Sequence, residues 1–228
     1  MTKEPALDLT RSVEDYLKAI FTLSETGQPA STTGIADALA VAAPSVSGMV
    51  KRLAESGLVE HLPYKGVTLT REGRRAALRM LRRHRLIETY LVSALGYTWD
   101  TVHDEAEQLE HAVSDDLIER MAAALGDPRV DPHGDPIPTA DGAMPASVDV
   151  PLPDVLVGET VTISRVNSDS PERLRWLAEA GLVPGVDVTV NEVHPFAGPI
   201  ILVVGDEQRV VGRELARQVH CARRGAAR

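Results

Sequence analysis

A chain of 228 residues, 43% apolar and 25% charged, can bury a sizeable core and has the composition of a soluble globular protein. No apolar run approaches the roughly 20 residues of a membrane span, and the N-terminus opens no signal-peptide pattern, so a cytoplasmic chain with no membrane partner is expected. The single cysteine, Cys221, excludes a disulfide framework and a cysteine metal cluster. The formal net charge of −9 argues against a nucleic-acid partner only as an average. Residues 1–98 hold 13 Lys/Arg against 10 Asp/Glu, residues 99–160 hold 2 against 15, and residues 161–228 hold 9 against 8. Within 45–85 the count is 10 basic against 3 acidic. A basic segment followed by a very acidic one fits a DNA-reading unit joined to a cation-binding unit.

In chain order, Val13, Leu17, Ile20, Phe21 and Leu23 recur at helical spacing after a Thr10 or Ser12 cap. Ser31-Thr32-Thr33 caps a second helix through about Leu39. After the turn Val41–Ala43, Pro44 fits the start of a third helix running to about Ser56. Two short helices joined by a tight turn, the second opening with small polar residues, form the helix-turn-helix pattern. Leu58–Leu62 and Val67–Thr70 then read as a hairpin, which makes the unit a winged helix. The start of the third helix is the end that enters a major groove, so Pro44, Ser45, Ser47, Gly48, Lys51 and Arg52 are candidate DNA contacts. Ser31, Thr32 and Thr33 can offer hydroxyls and backbone N–H groups to phosphate, and Lys65 sits at the wing tip. Winged helices also serve as protein-interaction modules; the local positive charge favours DNA.

A long helix is expected from Arg71 to about Leu95, ended by Gly96, and a shorter one capped by Asp100. A further helix spans about Ser114–Leu125, followed by a Pro-, Gly- and Asp-rich connection over 126–153 rather than a packed element. Short strands at Thr160–Val166, Asp187–Val193, Ile200–Val204 and Val210–Val211, interrupted by a helix at Glu172–Ala180, read as a small β-barrel-like domain.

His103, Glu107, Glu110 and His111 stand at i, i+4, i+7 and i+8, on one face of a helix at about 100° per residue. Two imidazoles and two carboxylates there suit a divalent cation, whereas most acidic runs are simply solvated faces. His84 and Glu88 form a second i, i+4 pair one helix upstream. Two such helices packed face to face offer six ligands, enough for two neighbouring sites.

These pieces together resemble the diphtheria-toxin-repressor family of metal-activated transcriptional repressors. The resemblance is carried by Glu14-Asp15-Tyr16-Leu17, the winged helix through Val67-Thr68-Leu69-Thr70, Arg83-His84-Arg85-Leu86-Ile87-Glu88, Val102–Glu107, Leu109-Glu110-His111 and Asp131-Pro132-His133-Gly134-Asp135-Pro136-Ile137-Pro138. It implies a mainly α fold with small β parts: a winged helix-turn-helix domain over 1–73, a helical metal-binding and dimerisation domain with a Pro/Gly-rich linker over 74–150, and an SH3-like (FeoA-like) β-barrel over 151–228. It implies a primary metal site of Asp15, Glu107, Glu110 and His111, with His84 as a further member. A second site is implied from Glu88 and His103, or from Glu88, Asp131 and His133 with a ligand from the C-terminal domain.

Where iron-responsive members have methionine and cysteine, this chain has Asp15 and Glu107, as manganese-responsive members do. Exchanging sulfur for carboxylate hardens the site toward Mn²⁺, with Fe²⁺ and Co²⁺ still able to bind. Lys18 replaces a glutamate ligand of the short manganese-responsive members, so their closely spaced binuclear arrangement is not expected. Arg165 and Ser168 stand where iron-type members place glutamate and glutamine, and the nearby Asp169 is the candidate substitute that the resemblance suggests. The expected function is a Mn²⁺-activated repressor of metal-homeostasis genes, a homodimer on a palindromic double-stranded operator, with an iron-responsive repressor as the alternative. A metallohydrolase using Glu105 as general base is the reading from another class; it lacks any motif for a nucleophile or an oxyanion, and no enzyme is expected.

Overall fold

The computed structural model of the chain describes residues 10–223 except Thr26, Pro63 and Asp169. They divide into two compact units, one holding the chain up to Arg83 together with Pro138–Ala143, the other holding His84–Ile137 and Met144 onward.

The first unit is built from α1 (Arg11–Leu23), α2 (Thr32–Ala38), α3 (Ala43–Glu55), the strands β1 (Val59–Leu62) and β2 (Gly66–Leu69), and the opening turns of α4 (Arg71–Leu95). Ser31 caps α2 by accepting the Gly34 N–H at 2.9 Å, and Pro44 falls in the first turn of α3, where a missing N–H costs little. The chain turns by 109° between α2 and α3, inside the range of about 90–120° for a helix-turn-helix. Leu17, Ile20, Ile35, Val46, Leu53 and Val67 are almost fully buried and fix the three helices against the hairpin. β1 and β2 pair antiparallel from Val59↔Leu69 to Leu62↔Gly66, and Ala30 adds a bridge to Val67. Gly73 makes the turn into α4 close: a Cβ there would lie 1.9 Å from the Leu58 carbonyl oxygen.

In the second unit the rest of α4 packs with α5 (Val102–Leu109) and α6 (Asp115–Ala124) around Leu86, Ile87, Leu91, Val102, Ala106, Ile118 and Ala122. Asp100 does not cap α5 as expected. Thr101 is the residue before the helix, and the Asp100 carboxylate instead accepts from Arg175 Nη1 at 3.2 Å. Part of the expected connection is packed after all: Asp131, His133 and Ile137 are buried, and Ile137 joins the helical core.

The remaining strands are β3 (Val150–Pro151), β4 (Thr160–Val166), β5 (Asp187–Val193), β6 (Ile200–Val204), β7 (Glu207–Val211) and β8 (Val219–Arg223), with α7 (Pro171–Glu179) and α8 (Arg213–Ala216) between them. They form one antiparallel sheet in the order β3-β8-β4-β5-β6-β7. Among the described residues β3 and β7 are its edges and do not pair, so this SH3-like sheet is open rather than a closed barrel. Its core includes Leu152, Val161, Ile163, Leu174, Leu177, Val190, Leu202 and Cys221. No single helix among the described residues is long and apolar enough to cross a membrane.

Candidate functional site

Helical periodicity gathers the donors of the acidic stretch on one side of α5, where they meet those of α4. His84 and Glu88 lie one turn apart on α4, and His103 and Glu107 one turn apart on α5, with Glu110 at the C-terminal end of α5 and His111 next. His84, Glu88 and Glu110 are buried, although two arginines flank His84 in sequence. Glu88 Oε1 lies 3.0 Å from His84 Nε2 and 3.3 Å from His103 Nδ1, and those two nitrogens are 3.1 Å apart. Adjacent donors on an octahedral ion with bonds near 2.1–2.2 Å are separated by about 3 Å, so this triangle has the edge length of an octahedral face. A hydrogen-bonded triangle has the same size, so protons and a cation compete for it.

On its other edge, His84 faces a second group. Its Nδ1 is 2.6 Å from Glu110 Oε2 and 3.8 Å from Glu107 Oε1, and His111 Nε2 is 3.5 Å from Glu110 Oε1. His84 therefore belongs to both sets, one through each ring nitrogen. His103 Nε2 lies 3.9 Å from Glu107 Oε1, so the two sets adjoin. Asp15 is half-buried on α1 in the first unit. Asp169 lies outside the described residues.

The loop after α6 supplies a third group. His133 Nε2 is 2.7 Å from the Trp99 carbonyl, which can only accept, so Nε2 carries a proton and donates it. Nδ1 is left facing Glu88 Oε2 at 3.7 Å. A neighbouring carbonyl that fixes one ring nitrogen as donor is the usual support of a metal-ligating histidine. Asp131 Oδ1 accepts the N–H groups of His133 and Asp135 at 2.8 and 3.0 Å. One donor atom from each of Glu88, Asp131 and His133 lies within 4.8 Å of the others, as do those of His84, Glu88 and His103 and those of His84, Glu107 and Glu110. Donors on one ion span at most twice a bond of about 2.0–2.6 Å, so all three sets are near coordinating size.

The electrostatics follow from burial. Burial alone would raise the Glu88 pKa, but the imidazoles of His103, His133 and His84 hold it far below the usual carboxylate range. Burial, aided by the charges of Asp135 and Glu88, pushes Asp131 up to about 7. Burial would lower His133, yet Glu88 and Asp131 push it up to about 9.

Three residues of this region escape any reading of single helix faces. Trp99 stacks on His133 with centroids 5.9 Å apart and holds its proton. Arg85 donates to the Pro136 carbonyl at 2.6 Å and lies 3.5 Å from Asp131 and 3.9 Å from Asp135, which absorbs its charge. Arg165 pairs with Asp149 at 2.8 Å and Asp135 at 3.3 Å. The cue for Arg85 was the Arg83-His84-Arg85 run beside the acidic Asp131–Asp135 loop.

In the first unit, Ser45, Ser47, Gly48, Lys51 and Arg52 are exposed on α3, as are Pro44, Ser31 and Thr33, while Thr32 is half-buried. Ser47 Oγ donates to the Ala43 carbonyl at 3.3 Å and Lys51 lies 4.0 Å from Glu55, both weak ties on an open face. Lys65 is exposed beside the fully exposed Tyr64 at the hairpin tip. Glu105, the base a hydrolase would need, is on α5 but in none of the three donor sets.

Residues 8–67 match the family model "iron dependent repressor, N-terminal DNA binding domain", residues 70–139 match "iron dependent repressor, metal binding and dimerisation domain", and residues 150–223 match the FeoA domain. The iron-dependent repressor IdeR of Mycobacterium tuberculosis (strain ATCC 25618 / H37Rv) is 33% identical over 225 residues, covering 93% of this chain and 97% of its own. The diphtheria toxin repressor of Corynebacterium diphtheriae is 34% identical over 155 residues, 68% of this chain and 69% of its own. Among solved structures, a manganese-dependent transcriptional repressor in complex with manganese is 44% identical with a TM-score of 0.87, covering 92% of this chain and 99% of its own. The manganese regulator SloR is 36% identical with a TM-score of 0.79, covering 95% and 100%. This chain belongs to the iron-dependent (diphtheria toxin) repressor family of metal-dependent, DNA-binding transcriptional repressors, which are not enzymes.

Proposed function

We propose that the chain is a Mn²⁺-activated repressor of metal-uptake and homeostasis genes, acting in the cytoplasm as a homodimer on a palindromic operator. The observation that carries the metal choice is the donor chemistry: every member of the three clusters is an imidazole nitrogen or a carboxylate oxygen. Hard carboxylate oxygens beside borderline imidazole nitrogens favour Mn²⁺ relative to a site containing thiolate or thioether sulfur. The primary site is Asp15, Glu107, Glu110 and His111 with His84, Asp15 being assigned by resemblance. The ancillary donors are Glu88 and His103, or Glu88, Asp131 and His133, with Asp169 as the candidate from the third domain.

Without a cation, the carboxylates of the primary set repel one another. A bound cation removes that repulsion and ties the helix of Asp15 to α5, which fixes the two recognition helices of a dimer at operator spacing. Ser31, Thr32, Thr33, Pro44, Ser45, Ser47, Gly48, Lys51, Arg52 and Lys65 are the contacts to DNA in this reading. Linkage requires operator DNA to tighten metal binding by the same factor as metal tightens DNA binding.

The iron-dependent relatives at 33% identity favour a second reading, a Fe²⁺-responsive repressor. Operator-binding titrations with Mn²⁺, Fe²⁺, Co²⁺ and Zn²⁺ at matched free concentrations separate the two. Activation by Mn²⁺, lost in Asp15→Ala and Glu107→Ala, is the expected result. Strong activation by Fe²⁺ with none by Mn²⁺ would overturn the metal choice.

A further inference from the structure

Glu88 is a single buried carboxylate with two different sets of neighbours. Its Oε1 closes the triangle with His84 Nε2 and His103 Nδ1, at 3.0 and 3.3 Å. Its Oε2 faces His133 Nδ1 at 3.7 Å. The two sets that contain Glu88 are each of coordinating size, and Glu88 is their only shared member. They are therefore compatible with simultaneous occupation, one cation on each oxygen of the bridging carboxylate.

The Nδ1 of His133 strengthens this reading. Because Nε2–H is committed to Trp99, a bare Nδ1 would point a lone pair toward a carboxylate oxygen. Something positive has to lie between them, either a proton on Nδ1 or a metal ion. The charge around the loop leaves room for an ion. Among the described residues Asp131, Asp135 and Asp149 pair with the guanidiniums of Arg85 and Arg165, through the 3.5, 3.9, 3.3 and 2.8 Å pairs, so that with Glu88 the carboxylates around the loop outnumber the guanidiniums. Arg85 lies on the Asp131 side, but Asp135 shares its charge and the Pro136 carbonyl holds it at 2.6 Å.

We propose that Glu88 bridges two divalent cations, one held with His84 Nε2 and His103 and the other with Asp131 and His133, so that each chain takes three cations rather than two; His84 then donates its Nδ1–H to Glu110 instead of ligating the primary cation. The proposal rests on the metal-activated reading above and resolves its two alternative ancillary sites into one binuclear centre. It also gives the Asp131–Asp135 loop a binding role.

Mn²⁺ itself is the probe, on the full-length chain. Equilibrium dialysis with metal analysis is expected to give three Mn²⁺ per wild-type chain, two for His133→Ala, two for His103→Ala and one for Glu88→Gln. Two ions sharing one carboxylate couple magnetically, so as the centre fills in the wild type the isolated six-line intensity should fall to that of the primary-site ion alone, about one of the three bound. In His133→Ala both bound ions should contribute to it. The wild-type count and its EPR coupling need no variant, so a variant that misfolds leaves the test intact. Two Mn²⁺ per wild-type chain, one lost in Glu107→Ala and one in His103→Ala with His133→Ala unchanged, would overturn the bridge and leave the metal-activated reading standing. Failure of the wild type to bind Mn²⁺ would overturn both.

Discussion

Replacing Glu88 by Gln in metal-free protein tests the charge balance of the centre directly. Glu88 is 2% exposed, and the carboxylate with its neighbours holds His133 at a pKa of about 9 instead of 6.5. A rise of about 2.5 units, at roughly 1.4 kcal/mol per unit, corresponds to about 3 kcal/mol of folding stability, of which Glu88 supplies the larger share and Asp131 and the Trp99 carbonyl the rest. Because the folded pKa is the higher one, this stabilisation is complete below the unfolded value near 6.5 and disappears as pH rises through about 9. Chelator-treated Glu88→Gln is therefore expected to be less stable than the wild type by about 2 kcal/mol at pH 6. Above pH 9 the gap should close or reverse, since the wild type then keeps a buried anion with one fewer cationic partner. Urea denaturation from pH 6 to 10 measures the gap. A deficit that does not change across this range would refute the reasoning and make Glu88 a packing residue.

A cation held at His133 as proposed would displace the Nδ1 proton, so Mn²⁺ affinity at that position should rise about tenfold per pH unit from 7 toward 9 and level off above, with proton release visible by calorimetry in buffers of different ionisation heat. Gly134→Ala should destabilise the protein by more than about 2 kcal/mol in denaturation experiments, because its φ is +89° and a Cβ would lie 2.1 Å from the Ser164 carbonyl oxygen. A deficit below about 0.5 kcal/mol would mean that the loop moves off β4 at little cost. Lys51→Ala and Arg52→Ala should each weaken operator binding across sequences and reduce the slope of log affinity against log salt by about 1, if both meet phosphate. An unchanged slope would remove them from the DNA contacts.

What could be read from the sequence follows the range of each physical signal. The donors His84, Glu88, His103 and Glu107 obey the 3.6-residue period, so their helix faces are legible from spacing alone. Ser31 and Pro44 mark helix starts by local hydrogen-bond chemistry, and the helix-turn-helix follows. The strand β8 was not legible, although it lies between β3 and β4 in the sheet. Val219 and Cys221 alternate inward, but His220, Ala222 and Arg223 carry no strand signal, and two buried positions are too few for a period. The Asp131–Ile137 loop read as a linker because its order comes from partners far away in sequence. Trp99 holds His133, Arg85 holds Pro136, and the His133 carbonyl accepts the Val166 N–H at 2.9 Å. No periodicity encodes such contacts.

The third domain meets the Asp131–Asp135 loop through charge. β4 carries a bulge between Ile163 and Arg165, where Gly134 of the loop packs against the Ser164 carbonyl. The Arg165 guanidinium, always cationic and unable to ligate a metal, pairs with Asp149 and Asp135. Asp135 in turn shares Arg85 with Asp131, a donor of the second set. Stronger pairing of Arg165 with Asp135 leaves more of the Arg85 charge for Asp131 and so opposes a cation there. Loosening that pair lets Asp135 take Arg85 and frees Asp131 to bind. If a cation binds at Asp131 as proposed, the sheet would tune its affinity through Arg165, a group that never touches the ion.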